Sequence, residues 1–182
     1  MPKIILKPSN KKFDIQICIP AYKRENELEV LFKSIRNSLD GIDYNLYFLL
    51  NGASENVKKI VFEKLAIYNN TGVVVFEKNI KDEVFIWPFF NLPQGLFWVI
   101  GDDDFLTINA KETILKAVKH DLTILNYDLY DNQLKQKLQP NYLGSLLPKK
   151  DLELDIKSIF SIFGDKLTYI SSIIVNNKIL SE

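Results

Sequence analysis

A chain of 182 residues with 47% hydrophobic and 25% charged side chains has ordinary globular composition, which excludes general disorder and coiled coil. Lys plus Arg equals Asp plus Glu at 23 each, so no net field recruits a polyanion and no nucleic-acid partner is expected. The lone Cys18 and lone His120 exclude a disulfide framework and multi-Cys or multi-His metal sites, so any metal must be held largely by oxygen.

Residues 1–14 carry lysines at 3, 7, 11 and 12 around one short apolar run, unlike an export signal, and the expected location is cytoplasmic. The spacing predicts a first strand over 15–19, rich in Ile and stopped by Pro20. Residues 27–39 place Leu28, Leu31, Phe32, Ile35 and Leu39 on one helical face, closed by Asp40-Gly41. A second strand over 44–50 ends at Asn51-Gly52, and Ser54 is placed to cap a helix over 56–68. A turn at 69–72 leads to a third strand, 73–76. The uncharged run 84–101 approaches the length of a membrane span, but Pro88, Asn91, Pro93, Gln94 and Gly95 interrupt it. It reads as a helix, a turn and a fourth strand over 96–100, with no transmembrane span. A helix over 109–119, capped by Asn109 or Thr107, and a strand over 122–127 follow.

Beyond Asp128 the pattern weakens into a loop or hairpin over 131–150, a helix over 155–163 and a last strand over 169–175. The alternation predicts an α/β fold with a mainly parallel central sheet covered on both faces. One domain is expected over 1–182, with a ligand-binding core at 14–128 and a weakly patterned segment at 129–182.

Chemistry concentrates where strands end. Asp102, Asp103 and Asp104 follow the apolar fourth strand, and adjacent carboxylates repel unless a cation neutralises them. Their hard oxygens suit Mg²⁺ or Mn²⁺, and ligands of open parallel sheets bind beyond the carboxyl ends of the strands. The turn Pro20-Ala21-Tyr22-Lys23-Arg24 lies at the end of the first strand, with a ring to stack on a base and cations to meet a phosphate. Asn51, at the end of the second strand, offers one acceptor and two donors to a base edge.

Together these segments resemble the family 2 glycosyltransferases of GT-A fold. Ile17-Cys18-Ile19-Pro20-Ala21-Tyr22-Lys23-Arg24 is similar to that family's opening strand and Pro-x-Tyr-Asn-Arg turn, and Glu77-Lys78-Asn79-Ile80-Lys81 to its Asn-x-Gly turn. Phe97-Trp98-Val99-Ile100-Gly101-Asp102-Asp103-Asp104 resembles the Trp-x-x-Gly-Asp-Asp-Asp form of abequosyltransferase-like enzymes of bacterial surface polysaccharide synthesis. Tyr169-Ile170-Ser171-Ser172-Ile173-Ile174 resembles a later strand of that subgroup.

The resemblance implies a Rossmann-like α/β/α sandwich that moves a sugar from a nucleoside-diphosphate sugar to a saccharide or lipid-linked acceptor. It implies nucleotide-sugar contacts from Pro20, Ala21, Tyr22, Arg24, Asn51, Asp102 and Asp103, and Mg²⁺ or Mn²⁺ on Asp102 and Asp104. Lys23, Asn51 (or Leu50 on a one-residue shift) and Lys81 depart from the family's Asn, Asp and Gly. The family's catalytic base comes from a later acidic segment, where Asp151, Asp155 and Asp165 are the available acids but match no motif. Two alternatives follow: an inactive GT-A-like binding or assembly subunit, and a sugar-phosphate nucleotidyltransferase, which would carry a Gly-rich loop that 20–26 lacks. Phe85, Trp87, Phe89 and Phe90 read mainly as core, with some left to contact a membrane surface, a partner or a second copy of the chain.

Overall fold

The computed structural model describes residues 2–6, 14–65, 67, 70–131, 135–144, 154–164 and 169–178. Strand β1 (Lys3–Leu6) precedes β2 (Ile15–Ala21), α1 (Glu25–Ser38), β3 (Asn45–Asn51), α2 (Glu55–Leu65) and β4 (Thr71–Phe76). Then come α3 (Glu83–Asn91), β5 (Leu96–Val99), α4 (Ala110–Ala117), β6 (Leu122–Ile124), β7 (Leu129–Tyr130), β8 (Lys137–Gln139), α5 (Ile156–Phe163) and β9 (Ile173–Asn176).

The two-residue period of a strand sorts the sheet's side chains into two cores. Ile15, Ile17, Ile19 and Ala21 of β2 join Leu46, Phe48 and Leu50 of β3 and Trp98 of β5 on one face. Leu28, Leu31 and Ile35 of α1, Val57 and Val61 of α2, and Ile114 of α4 cover that face. The intervening residues, Cys18, Tyr47, Leu49, Phe97 and Val99, face the other way and meet Val84, Phe85, Trp87 and Phe89 of α3. Phe90 escapes this packing and is 73% exposed. The polar pair Gln16 and Asn45 is buried at the β2–β3 seam, where Asn45 Nδ2 donates to Gln16 Oε1 at 3.1 Å.

Seven strands form one sheet in the order β1-β4-β3-β2-β5-β9-β6, and β7 and β8 form a separate hairpin. The pairs β2–β3, β3–β4 and β2–β5 are parallel, whereas β1, β9 and β6 add antiparallel pairings at the flanks. The result is a Rossmann-like α/β fold with a mixed, largely parallel sheet between helices, as the alternation predicts.

Several boundaries differ from the sequence reading. Lys3–Leu6, not 15–19, is the first strand, and its backbone pairs with β4. Ser54 does cap α2, accepting from the Val57 amide at 3.2 Å. Asn109 makes no side-chain cap, and the Thr107 carbonyl receives the Ala110 amide instead. The strand expected over 169–175 begins as a 3-10 turn at Ile170–Ser172. Ser172 bonds back to the Tyr169 carbonyl through both its amide, at 3.0 Å, and its hydroxyl, at 2.7 Å. That local bonding delays extended structure until Ile173.

Candidate functional site

The chain enters the parallel part of the sheet at β2, steps outward through β3 and β4, and then crosses back to place β5 on the opposite side of β2. That reversal leaves a crevice beyond the carboxyl ends of β2 and β5, the usual ligand position in open α/β sheets. A cleft of about 460 Å³ lies there, lined by Pro20–Arg24, Asn51, Asn79, Lys81, Asp82, Phe85, Gly101, Asp102 and Asp103, among others. Its volume suits a small organic ligand.

Contacts between distant segments fix the cleft's floor. The Tyr22 amide donates to Asp102 Oδ2 at 3.1 Å, and Arg24 Nη1 meets Asp102 Oδ1 at 3.3 Å. The same nitrogen also pairs with Asp103 Oδ2. Ser54 N donates to the Tyr22 carbonyl at 2.9 Å, tying the turn after β2 to the turn after β3. Burial pushes the Asp102 carboxyl above its ordinary pKa, opposed by the Tyr22 amide and Arg24. Tyr22 stands at the mouth, 38% exposed, with Lys23 Nζ 4.8 Å from its ring centre.

Asp104 takes a different place. Its Oδ2 accepts from the Gly101 amide at 3.2 Å and from the Ser171 hydroxyl. Ser171 Oγ also accepts from the Gly101 amide, at 2.9 Å. Burial raises the Asp104 pKa, opposed chiefly by the Ser171 hydrogen bond. Ser171 therefore locks the acidic loop to the segment entering β9, and Trp98 Nε1 donates to the Ser171 carbonyl at 2.8 Å. Spacing alone gave no reason to single out Ser171, since the bond joins residues 67 apart.

Asn51 lines the cleft, yet its amide is already committed. Its Oδ1 accepts from the Ile80 amide at 2.8 Å, and its Nδ2 donates to Asn79 Oδ1 at 3.1 Å and to the Lys81 carbonyl at 3.4 Å. Asn79 Oδ1 also receives the Lys81 amide at 2.7 Å. Asn51 therefore builds the wall formed by 79–81. Lys81 adopts φ +54°, the left-handed conformation that favours glycine.

Of the acids weighed as a base, Asp151 and Asp165 lie outside the described residues. Asp155 is exposed at the start of α5, where Oδ1 accepts from the Lys157 amide at 3.0 Å and the Ser158 amide at 3.1 Å. Those bonds and the Ser158 hydroxyl hold its pKa below the ordinary value.

Among the described residues no three His, Cys, Asp or Glu side chains gather as a metal cage. Asp102 Oδ1 and Asp103 Oδ2 nevertheless converge on one cationic nitrogen of Arg24. Two carboxylates with phosphate and water as remaining ligands suit Mg²⁺ or Mn²⁺. The donor set fits such an ion at Asp102 and Asp103, while Asp104 is engaged by Ser171. No helix among the described residues is long and apolar enough to cross a membrane.

No protein-family profile matches the chain, and no curated protein matches it. Solved structures do. S. aureus TarS residues 1–349 in complex with UDP-GlcNAc is similar over 93% of this chain and 47% of that one, at 14% identity and TM-score 0.63. The mannosyltransferase PcManGT from Pyrobaculum calidifontis, in complex with GDP-Man and Mn²⁺, is similar over 66% of this chain and 37% of that one, at 11% identity and TM-score 0.54. These likenesses establish the shared fold, and the chain spans about half the length of TarS 1–349 or less of the others.

Proposed function

We propose that the cleft binds a nucleoside-diphosphate sugar and that the chain is the donor-binding part of a glycosyltransferase. One observation carries the reading: the switch-point crevice joins an accessible tyrosine ring to two converging carboxylates. A base stacks on Tyr22, with Pro20 and Ala21 shaping the adjoining floor. The diphosphate lies toward Arg24, Asp102 and Asp103. Two proteins of this fold, the TarS fragment and the mannosyltransferase, hold UDP-GlcNAc and GDP-Man with Mn²⁺, and those ligands motivate the same class here.

Transfer forms a bond from an acceptor hydroxyl to the anomeric carbon and breaks the bond from that carbon to the diphosphate oxygen. Asp102 and Asp103 would hold a divalent cation, which would supply charge neutralisation to the departing diphosphate. Arg24 adds a forked donor to the same oxygens. Asp104 keeps the acidic loop in place through Ser171. The acceptor hydroxyl must also lose a proton, for which Asp151, Asp155 and Asp165 remain the acids proposed from sequence. The acceptor is a glycan or lipid-linked saccharide presented at the inner membrane face, in the manner of abequosyltransferase-like enzymes. A second copy, another protein or the membrane-borne acceptor itself completes the acceptor side.

Release of nucleoside diphosphate from a panel of donors, with and without glycoside acceptors, tests the reading. Turnover lost in Asp102→Asn supports it. Absence of turnover together with weak donor binding favours an inactive binding or assembly subunit, a reading that Asn51's engagement with the 79–81 wall also favours. Failure of every donor both to bind and to turn over refutes the proposal.

A further inference from the structure

The cation point of the cleft is already held by the chain itself. Arg24 Nη1 contacts Oδ1 of Asp102 and Oδ2 of Asp103, the two carboxylates proposed above to hold a divalent cation. The arginine lies in the turn between β2 and α1, and its side chain is 53% exposed, so it can leave without disturbing a core. A divalent ion and a guanidinium cannot share that point, because their charges repel and both need the same oxygens. Displacement becomes favourable when an anion waits to receive the guanidinium, and a diphosphate matches its forked donors.

Resting on the nucleotide-sugar reading above, we infer that Arg24 is a built-in competitor for the metal point that exchanges from Asp102 and Asp103 to the donor diphosphate. Metal and diphosphate then assist each other beyond their direct bond, since each relieves the contact opposing the other. Free metal alone binds weakly, and the acidic pair stays neutralised while the cleft holds no donor.

The test is Mn²⁺ affinity of the full chain, read from the electron paramagnetic resonance of free Mn²⁺, with and without a nucleoside diphosphate. It compares wild type, Arg24→Ala and Arg24→Gln, each checked for folding by circular dichroism. Without nucleotide, both variants should bind Mn²⁺ about tenfold more tightly than wild type, the size of two partly exposed ion pairs. The enhancement of Mn²⁺ affinity by the diphosphate should shrink by the same factor. Equal Mn²⁺ affinity in all three proteins, with diphosphate binding intact, overturns the exchange and leaves the cleft reading standing. No diphosphate binding by any of the three overturns both.

Discussion

Two substitutions, one in the cleft wall and one packed against it, should move stability in opposite directions, although both sit at left-handed backbone positions. Lys81 has φ +54° and Gly52 has φ +64°. Lys81→Gly relieves a left-handed penalty of about 1–2 kcal/mol and loses about 0.5–1 kcal/mol to a freer unfolded chain. The net gain is about 0.5–1 kcal/mol, a rise in Tm of roughly 1–4 °C for a chain of this size. Gly52→Ala adds the same strain and a collision. A Cβ there would lie 2.6 Å from the Asn79 amide nitrogen and 3.1 Å from the Lys78 carbonyl carbon, both backbone atoms that no rotamer change can move. Its cost should be about 1–3 kcal/mol, and displacing Asn79 should break the Asn51 contacts and weaken ligand binding. Urea unfolding followed by far-ultraviolet circular dichroism reads both, provided the m-values stay equal. A less stable Lys81→Gly protein, or a neutral Gly52→Ala, would refute the account of this wall.

Ser171→Ala should lower stability by about 1–3 kcal/mol, because the half-buried Asp104 carboxylate and Gly101 amide lose a shared partner; denaturant midpoints check this. The raised pKa of Asp104 means that the folded state binds more protons between the ordinary carboxylate value and the raised one. Its contribution is therefore fully present below the unfolded pKa and lost as pH climbs through the folded value. Asp104→Asn should gain stability relative to wild type across that window, and a difference independent of pH would contradict this. Cys18 is fully buried and its thiol pKa is pushed upward by desolvation, so it should react with thiol reagents only on unfolding; rapid labelling of the native protein would count against its place in β2.

The elements most legible in the sequence were those whose periodicity is set by burial. Ile15, Ile17 and Ile19 alternate with Gln16 and Cys18, and the strand runs where that pattern places it. The acidic loop after β5 was legible because carboxylates at the end of a buried strand are chemically unusual. Less could be read where one residue's role depends on a distant partner. Asn51 also ties down the 79–81 turn and Asp104 also meets Ser171, contacts between distant segments that no local spacing reveals. β1 was missed because a four-residue edge strand gains its ladder from β4, a partner some seventy residues away in sequence. The β7–β8 hairpin, at 129–130 and 137–139, fell within or beside the segment read as a loop or hairpin, its strands too short to show a period.

Calorimetric titration with uridine, cytidine, guanosine and thymidine diphosphates, each with Mn²⁺, addresses the nucleotide-sugar cleft most directly. The account predicts that at least one binds at one site per chain. That binding should weaken at least tenfold in both Tyr22→Ala, which removes the stacking surface, and Asp102→Asn, which removes a cation ligand and should leave the fold intact. Failure of all four to bind the folded protein, or binding untouched by both substitutions, would contradict it.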